Sequence, residues 1–77
     1  MAIIGAYARL ELNVERLTRQ RLATIEGVEL FNLPQEGKVG LMIEADHVDR
    51  AHEKLRKEIE TTEGVLGVWP VYINTEV

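Results

Sequence analysis

Few residues in this chain could do chemistry. His47 and His52 are five positions apart, which puts them on different sides of a helix, and no acidic residue completes a metal-ligand set with them. Their expected roles are structural, His47 solvated near a helix start and His52 flanking the core. The chain has no cysteine and no serine, so it offers no thiol or seryl nucleophile, disulfide, zinc–thiolate site or iron–sulfur site. Arg9 with Asn13 is the thin pair that an enzyme could bring together. Gly5, Gly40 and Gly67 stand singly within apolar runs and form no phosphate-cradling loop ahead of a helix. No metal or cofactor is expected. What remains is binding chemistry. Tyr7, Phe31, Met42 and Trp69 are aromatic and thioether groups of the kind enriched where peptides dock, and Glu29 and Glu44 could meet a cationic ligand.

Nine Lys and Arg against 13 Asp and Glu give a net charge of −4, which argues against a nucleic-acid binder and leans toward a cationic partner. The basic run "RLTRQR" from Arg16 reads as a solvated helix face that Glu15 and Glu26 partly neutralise, and "EKLRKEIE" from Glu53 as another, with Glu53 and Lys57 paired at i, i+4. The start, "MAIIGAYARLELN", lacks the basic and long apolar regions of a signal peptide or membrane span. The expectation is a soluble cytoplasmic protein with no stable membrane insertion.

These residues must be positioned by one domain, expected to span 1–77. A chain of 77 residues buries only about 60% of its unfolded surface, so exposed apolar groups need a reason. Ile4, Ala6, Ala8, Leu10 and Leu12 alternate with Ile3, Gly5, Tyr7, Arg9 and Glu11, the period of a strand with one apolar face. Asn13 is the expected N-cap of a helix in which Val14, Leu17, Leu22 and Ile25 share an arc, and Gly27 ends it. "VELFNL" and "VGLMIEA" read as two strands joined by the turn residues of "PQEGK". Asp46 is the expected cap of a second helix carrying Val48, Ala51, His52, Leu55, Ile59 and Thr62 on one stripe, with Gly64 as its stop. "TTEGVLGVWPVYIN" is the last strand.

Strand, helix, strand, strand, helix, strand is the order of the α+β ferredoxin-like fold: a four-stranded antiparallel sheet, order 4-1-3-2, with two helices on one face. "IEGVEL" and "TEGVLG" repeat one helix-to-strand junction. Pro70 belongs on an edge strand, where its missing donor costs nothing. The expected core is Ile4, Ala8, Leu10, Leu22, Ile25, Leu41, Ile43, Val48, Leu55 and Ile59.

The helices leave the second sheet face open, and its residues are not the polar set that a wet face requires. They are Ile3, Gly5, Tyr7 and Arg9; Gly40, Met42 and Glu44; Glu29, Phe31 and Leu33. In the last strand Leu66, Val68 and Tyr72 suit the core, leaving Gly67, Trp69, Val71 and Ile73 outside. Three glycines on one face suggest a trough walled by Tyr7, Phe31, Met42 and Trp69, with Glu29 and Glu44 at its margins. A side chain at Gly40 is expected to raise the trough floor. The site reading is therefore Ile3, Gly5, Tyr7, Glu29, Phe31, Gly40, Met42, Glu44, Trp69 and Val71. A homodimer packed face to face is the alternative cover for this surface.

"TEGVLGVWPVY" from Thr62 to Tyr72, the third strand ending in "IEA" and the "GVEL" after the first helix resemble the NapD chaperones, cytoplasmic assembly proteins of periplasmic nitrate reductase. The resemblance covers nearly the whole chain, including the short C-terminal tail. It departs from more polar members by joining Trp69 and Pro70. It implies a chaperone, not an enzyme, that binds the twin-arginine signal peptide of the catalytic subunit NapA and delays export until the molybdenum cofactor is inserted. An amphipathic signal-peptide helix would suit the trough. The alternative reading is a homodimeric small-molecule-sensing domain of the same fold, against which Asn13 and Asp46 stand at the strand–helix junctions as caps.

Overall fold

The computed structural model describes residues 1–74; the C-terminal tail lies outside the described residues. The first strand, β1 (Ala2–Leu10), buries every second side chain, Ala2, Ile4, Ala6, Ala8 and Leu10, as its alternation requires. It lies between β3 (Lys38–Ala45) and β4 (Val65–Asn74), and β2 (Val28–Asn32) pairs with the far side of β3. All pairings are antiparallel and the order is β2-β3-β1-β4, the expected order counted from the other edge. Pro70 lies on edge strand β4.

Helix α1 (Glu15–Ala23) and helix α2 (Val48–Lys54), which runs on into a π-helical turn over Leu55–Ile59, pack on one face of the sheet. Leu22, Ala51, Leu55 and Ile59 meet Ile4, Ala6, Ala8, Leu10, Val39, Leu41 and Ile43 in a single core, so the β-α-β-β-α-β ferredoxin-like arrangement is as the periodicity indicated. The wide turn closes through the amide of Glu60 donating to the carbonyl of Leu55 and keeps Leu55 and Ile59 both inside.

The repeated "EGV" junction has one physical basis at both sites. The Val28 amide donates to the Ile25 carbonyl and the Val65 amide to the Thr62 carbonyl, each closing a four-residue turn. Gly27 (φ 81°) and Gly64 (φ 98°) occupy the third position of these turns, where a positive φ is required. Gly64 also abuts the fully buried Thr18, whose hydroxyl donates to the Val14 carbonyl (2.8 Å) and lies 3.3 Å from the Glu63 carbonyl. Arg19 supplies a second clamp, pairing with Glu15 (2.9 Å) and reaching Asn32 Oδ1 and the Lys38 carbonyl, which ties α1 to the ends of β2 and β3.

Several expectations are corrected here. Neither Asn13 nor Asp46 caps a helix. A 3-10 turn over Leu12–Val14 leads into α1 with Val14 at the cap position, His47 stands at that of α2, and none of these makes a side-chain capping bond. Leu12 is 59% exposed because the chain leaves the sheet after Leu10, and Leu17 also faces out, its place inside α1 being taken by Thr18. Ile25 and Val48 are only partly buried. Arg21 pairs at 3.9 Å with Glu63, not with Glu26, whereas the expected Glu53–Lys57 pair is present at 3.3 Å.

Ile43 is fully buried between the helices and the two central strands, so Ile43→Ala should cost about 2–5 kcal/mol. Urea unfolding followed by far-ultraviolet dichroism should show this as a large fall in midpoint with the slope unchanged.

Candidate functional site

The register fixes what stands on the open face. Across the sheet from β2 to β4, one row is Glu29, Met42, Gly5 and Tyr72, and the next is Phe31, Gly40, Tyr7 and Trp69. Toward one end follow Glu44, Ile3 and Asn74; toward the other, Lys38, Arg9 and Gly67. The expected residues of β1, β2 and β3 are therefore brought together on this face, along with Trp69.

For the last strand the sequence reading is corrected, because β4 carries two irregularities. Between Gly5 and Ala6 the partner jumps from Tyr72 to Pro70, and between Arg9 and Leu10 from Gly67 to Val65, so Val71 and Leu66 are extra residues. Such a bulge inverts the alternation beyond it. Tyr72, expected in the core, is 54% exposed and lies on the open face with its Cβ and ring Cδ2 3.4 Å from where a Gly5 Cβ would be. Leu66 is also exposed, not buried. Ile73, expected outside, pairs with Ile4 on the helix side, yet is 47% exposed at the sheet edge. Val71 projects from the bulge, 70% exposed, and still borders the groove. Tyr72, Lys38 and Gln35 are the groove residues that the sequence reading missed. The signal for Tyr72 was Pro70, which cannot keep a regular ladder and so marks where parity can slip.

The trough floor is not bare. A Cβ on Gly40 would fall within the ring of Phe31, and one on Gly67 would strike the outer ring of Trp69. Each glycine is thus covered by an aromatic ring of the chain itself, a packing that offsets the weakness of glycine in a strand. Trp69 also stacks on Tyr7, with ring centroids 5.2 Å apart and planes 20° from parallel, and Lys38 Nζ lies 5.2 Å from the Tyr7 centroid. Between the rings of Phe31 and Tyr72 runs a groove of about 580 Å³, bordered by Gly5, Tyr7, Leu33, Lys38, Gly40, Met42 and Val71 as well; Trp69 does not line it. Phe31, Met42, Trp69, Val71 and Tyr72 are all exposed and together give this face an apolar surface. A second cleft of about 350 Å³ opens beside it among Ile3, Gly27, Val28, Glu29, Met42 and Glu44. Among the described residues Glu29 and Glu44 enter no side-chain hydrogen bond or ion pair.

Among the described residues no group of three or more His, Cys, Asp or Glu is placed to hold a metal, and no helix is long and apolar enough to cross a membrane. Arg9 stands at one end of the open face on β1 and Asn13 in the 3-10 turn beyond the strand, with no hydrogen bond joining them.

A model of the NapD family, described as NapD protein, matches residues 10–77. The chain belongs to the NapD family. NapD proteins are chaperones of nitrate reductase maturation and not a family of enzymes, which fits a fold whose distinctive feature is an uncovered sheet face. No curated protein and no solved structure matches the chain.

Placing bulk at Gly40 therefore meets Phe31 before it meets any ligand. Gly40→Val should force the ring off the sheet and cost about 1–3 kcal/mol. The same substitution made together with Phe31→Ala should cost far less than the sum of the two, a coupling that a double-mutant cycle by urea unfolding reads directly.

Proposed function

We infer that this NapD protein binds the twin-arginine signal peptide of NapA, the catalytic subunit of periplasmic nitrate reductase, and delays its export until the cofactor is inserted. The observation that carries the reading is the open sheet face, with Tyr7, Phe31, Met42 and Tyr72 around an apolar groove, Trp69 stacked on Tyr7 beside it, and Glu29 and Glu44 at one end. A twin-arginine signal joins a basic segment to an apolar one. As an amphipathic helix it would lay its apolar stripe in the groove and bring its arginines to carboxylates. The family assignment supports the same role.

The mechanism needs only occupancy. A signal peptide held on the sheet in the cytoplasm has its apolar segment covered and its arginines engaged, so the export machinery cannot read it. Release follows dissociation, and its timing is set by the peptide's residence on the face. Ile3, Gly5, Tyr7, Glu29, Phe31, Gly40, Met42, Glu44, Trp69 and Val71 are the proposed contacts, to which Tyr72 is added. A second copy of the chain could cover the same residues, so peptide and homodimer would compete for the face.

Isothermal calorimetry with a synthetic twin-arginine signal peptide tests the proposal. The parent should bind one peptide per chain, and Trp69→Ala should bind at least about tenfold more weakly, a loss of roughly 1.4 kcal/mol. Binding by the variant equal to the parent's would remove the open face as the site.

A further inference from the structure

We propose that the charge pattern of the open face fixes the direction of the bound peptide: its basic N-terminal segment lies at the Glu29–Glu44 end and its apolar helix runs toward Lys38 and Arg9. This rests on the inferred peptide binding and adds its polarity.

The register puts opposite charges at opposite ends of one groove. Glu29 and Glu44 are diagonal neighbours on β2 and β3, Glu29 pairing with Met42 two residues before Glu44, and both line the cleft that also holds Ile3 and Met42. At the other end Arg9 pairs directly with Lys38 across β1 and β3. Tyr7, Gly5, Gly40 and Met42 lie between, so the apolar floor separates the two charged ends. Lys38 is held in place by the Tyr7 ring, and neither it nor Arg9 forms a side-chain ion pair among the described residues. Other charges do not erase the pattern. Glu36 borders the basic end beside Arg9 and Lys38 without an ion pair to either. At the acidic end Glu44 also borders a cleft that holds Met1, Glu26, Asp46, Arg50 and Lys54, but Arg50 pairs with Glu53, Lys54 donates to the Glu26 carbonyl, and neither forms an ion pair with Glu44.

Two separate forces then favour one direction. Peptide arginines are attracted to the carboxylate end and repelled from the Arg9–Lys38 end. A helix in the same direction sets its positive N-terminus near Glu29 and Glu44 and its negative C-terminus near Lys38 and Arg9, so its macrodipole acts with the side chains and not against them. The length also fits. The six steps along β1 from Ile3 to Arg9 span about 20 Å, which a helix covers in about 13 residues. The occupant is thus two arginines followed by an apolar helical run of about that length, lying parallel to β1.

Paramagnetic broadening reads the direction. The chain has no cysteine, so a nitroxide attached to a single cysteine in a twin-arginine signal peptide reports from the peptide alone. With ¹⁵N-labelled full-length protein saturated by peptide, a label beside the arginines should broaden the amides of Ile3, Glu29 and Glu44. A label at the end of the apolar run should broaden those of Arg9, Lys38 and Gly67. The reverse pattern, or the same pattern from both labels, overturns the direction and leaves the open face as the site. Broadening confined to α1 and α2 overturns the face and the direction together.

Discussion

Everything distinctive about this chain depends on two helices packing against one face of β1 and β3. Ile4, Ala6, Ala8, Leu10, Val39, Leu41 and Ile43 supply that face, and Leu22, Ala51, Leu55 and Ile59 close over it. The described residues supply no third layer to cover the other side. The packing is held in position by local devices: glycine turns at Gly27 and Gly64, the buried Thr18 hydroxyl between α1 and the turn before β4, and the Arg19 clamp from α1 to the strand ends. Their joint effect is to fix one face as core and leave the second as surface.

The second face responds to that position with aromatic packing of its own. Phe31 covers Gly40, Trp69 covers Gly67 and stacks on Tyr7, and Tyr72 lies against Gly5. These rings shield bare backbone, yet several remain about half exposed, which leaves apolar area for a partner. Phe31 and Tyr72 stand on opposite edge strands, so the groove lies across the central pair β1 and β3. The proposed holding of a client peptide calls for such a surface: open enough to accept a segment that must later be surrendered, and rigid because it is a sheet and not a loop.

Most of the fold was legible because the periodicity of β1, β2, β3 and α2 is strong and each glycine stop has a turn to make. The caps were not legible. Asn13 and Asp46 are good capping types, but a 3-10 entry and the placement of His47 put other residues at the cap positions. On the open face, the residues of β1, β2 and β3 followed from strict alternation. In β4 alternation failed at two bulges, whose positions depend on pairing with β1 and not on any local sequence signal except Pro70. The glycines were read as a bare floor because sequence cannot say which neighbour's ring will lie across them.

The NapD family assignment and the exposed aromatic face converge on one central claim, that the open sheet is where the client peptide binds. The chain's single tryptophan, Trp69, stands on that face at 42% exposure and serves as its own reporter. Titration with a tryptophan-free twin-arginine signal peptide to calorimetric saturation, read by Trp69 emission and iodide quenching, is the most direct test. The account predicts a blue shift and protection from quenching that saturate with binding. Unchanged emission and unchanged quenching at full occupancy would contradict it.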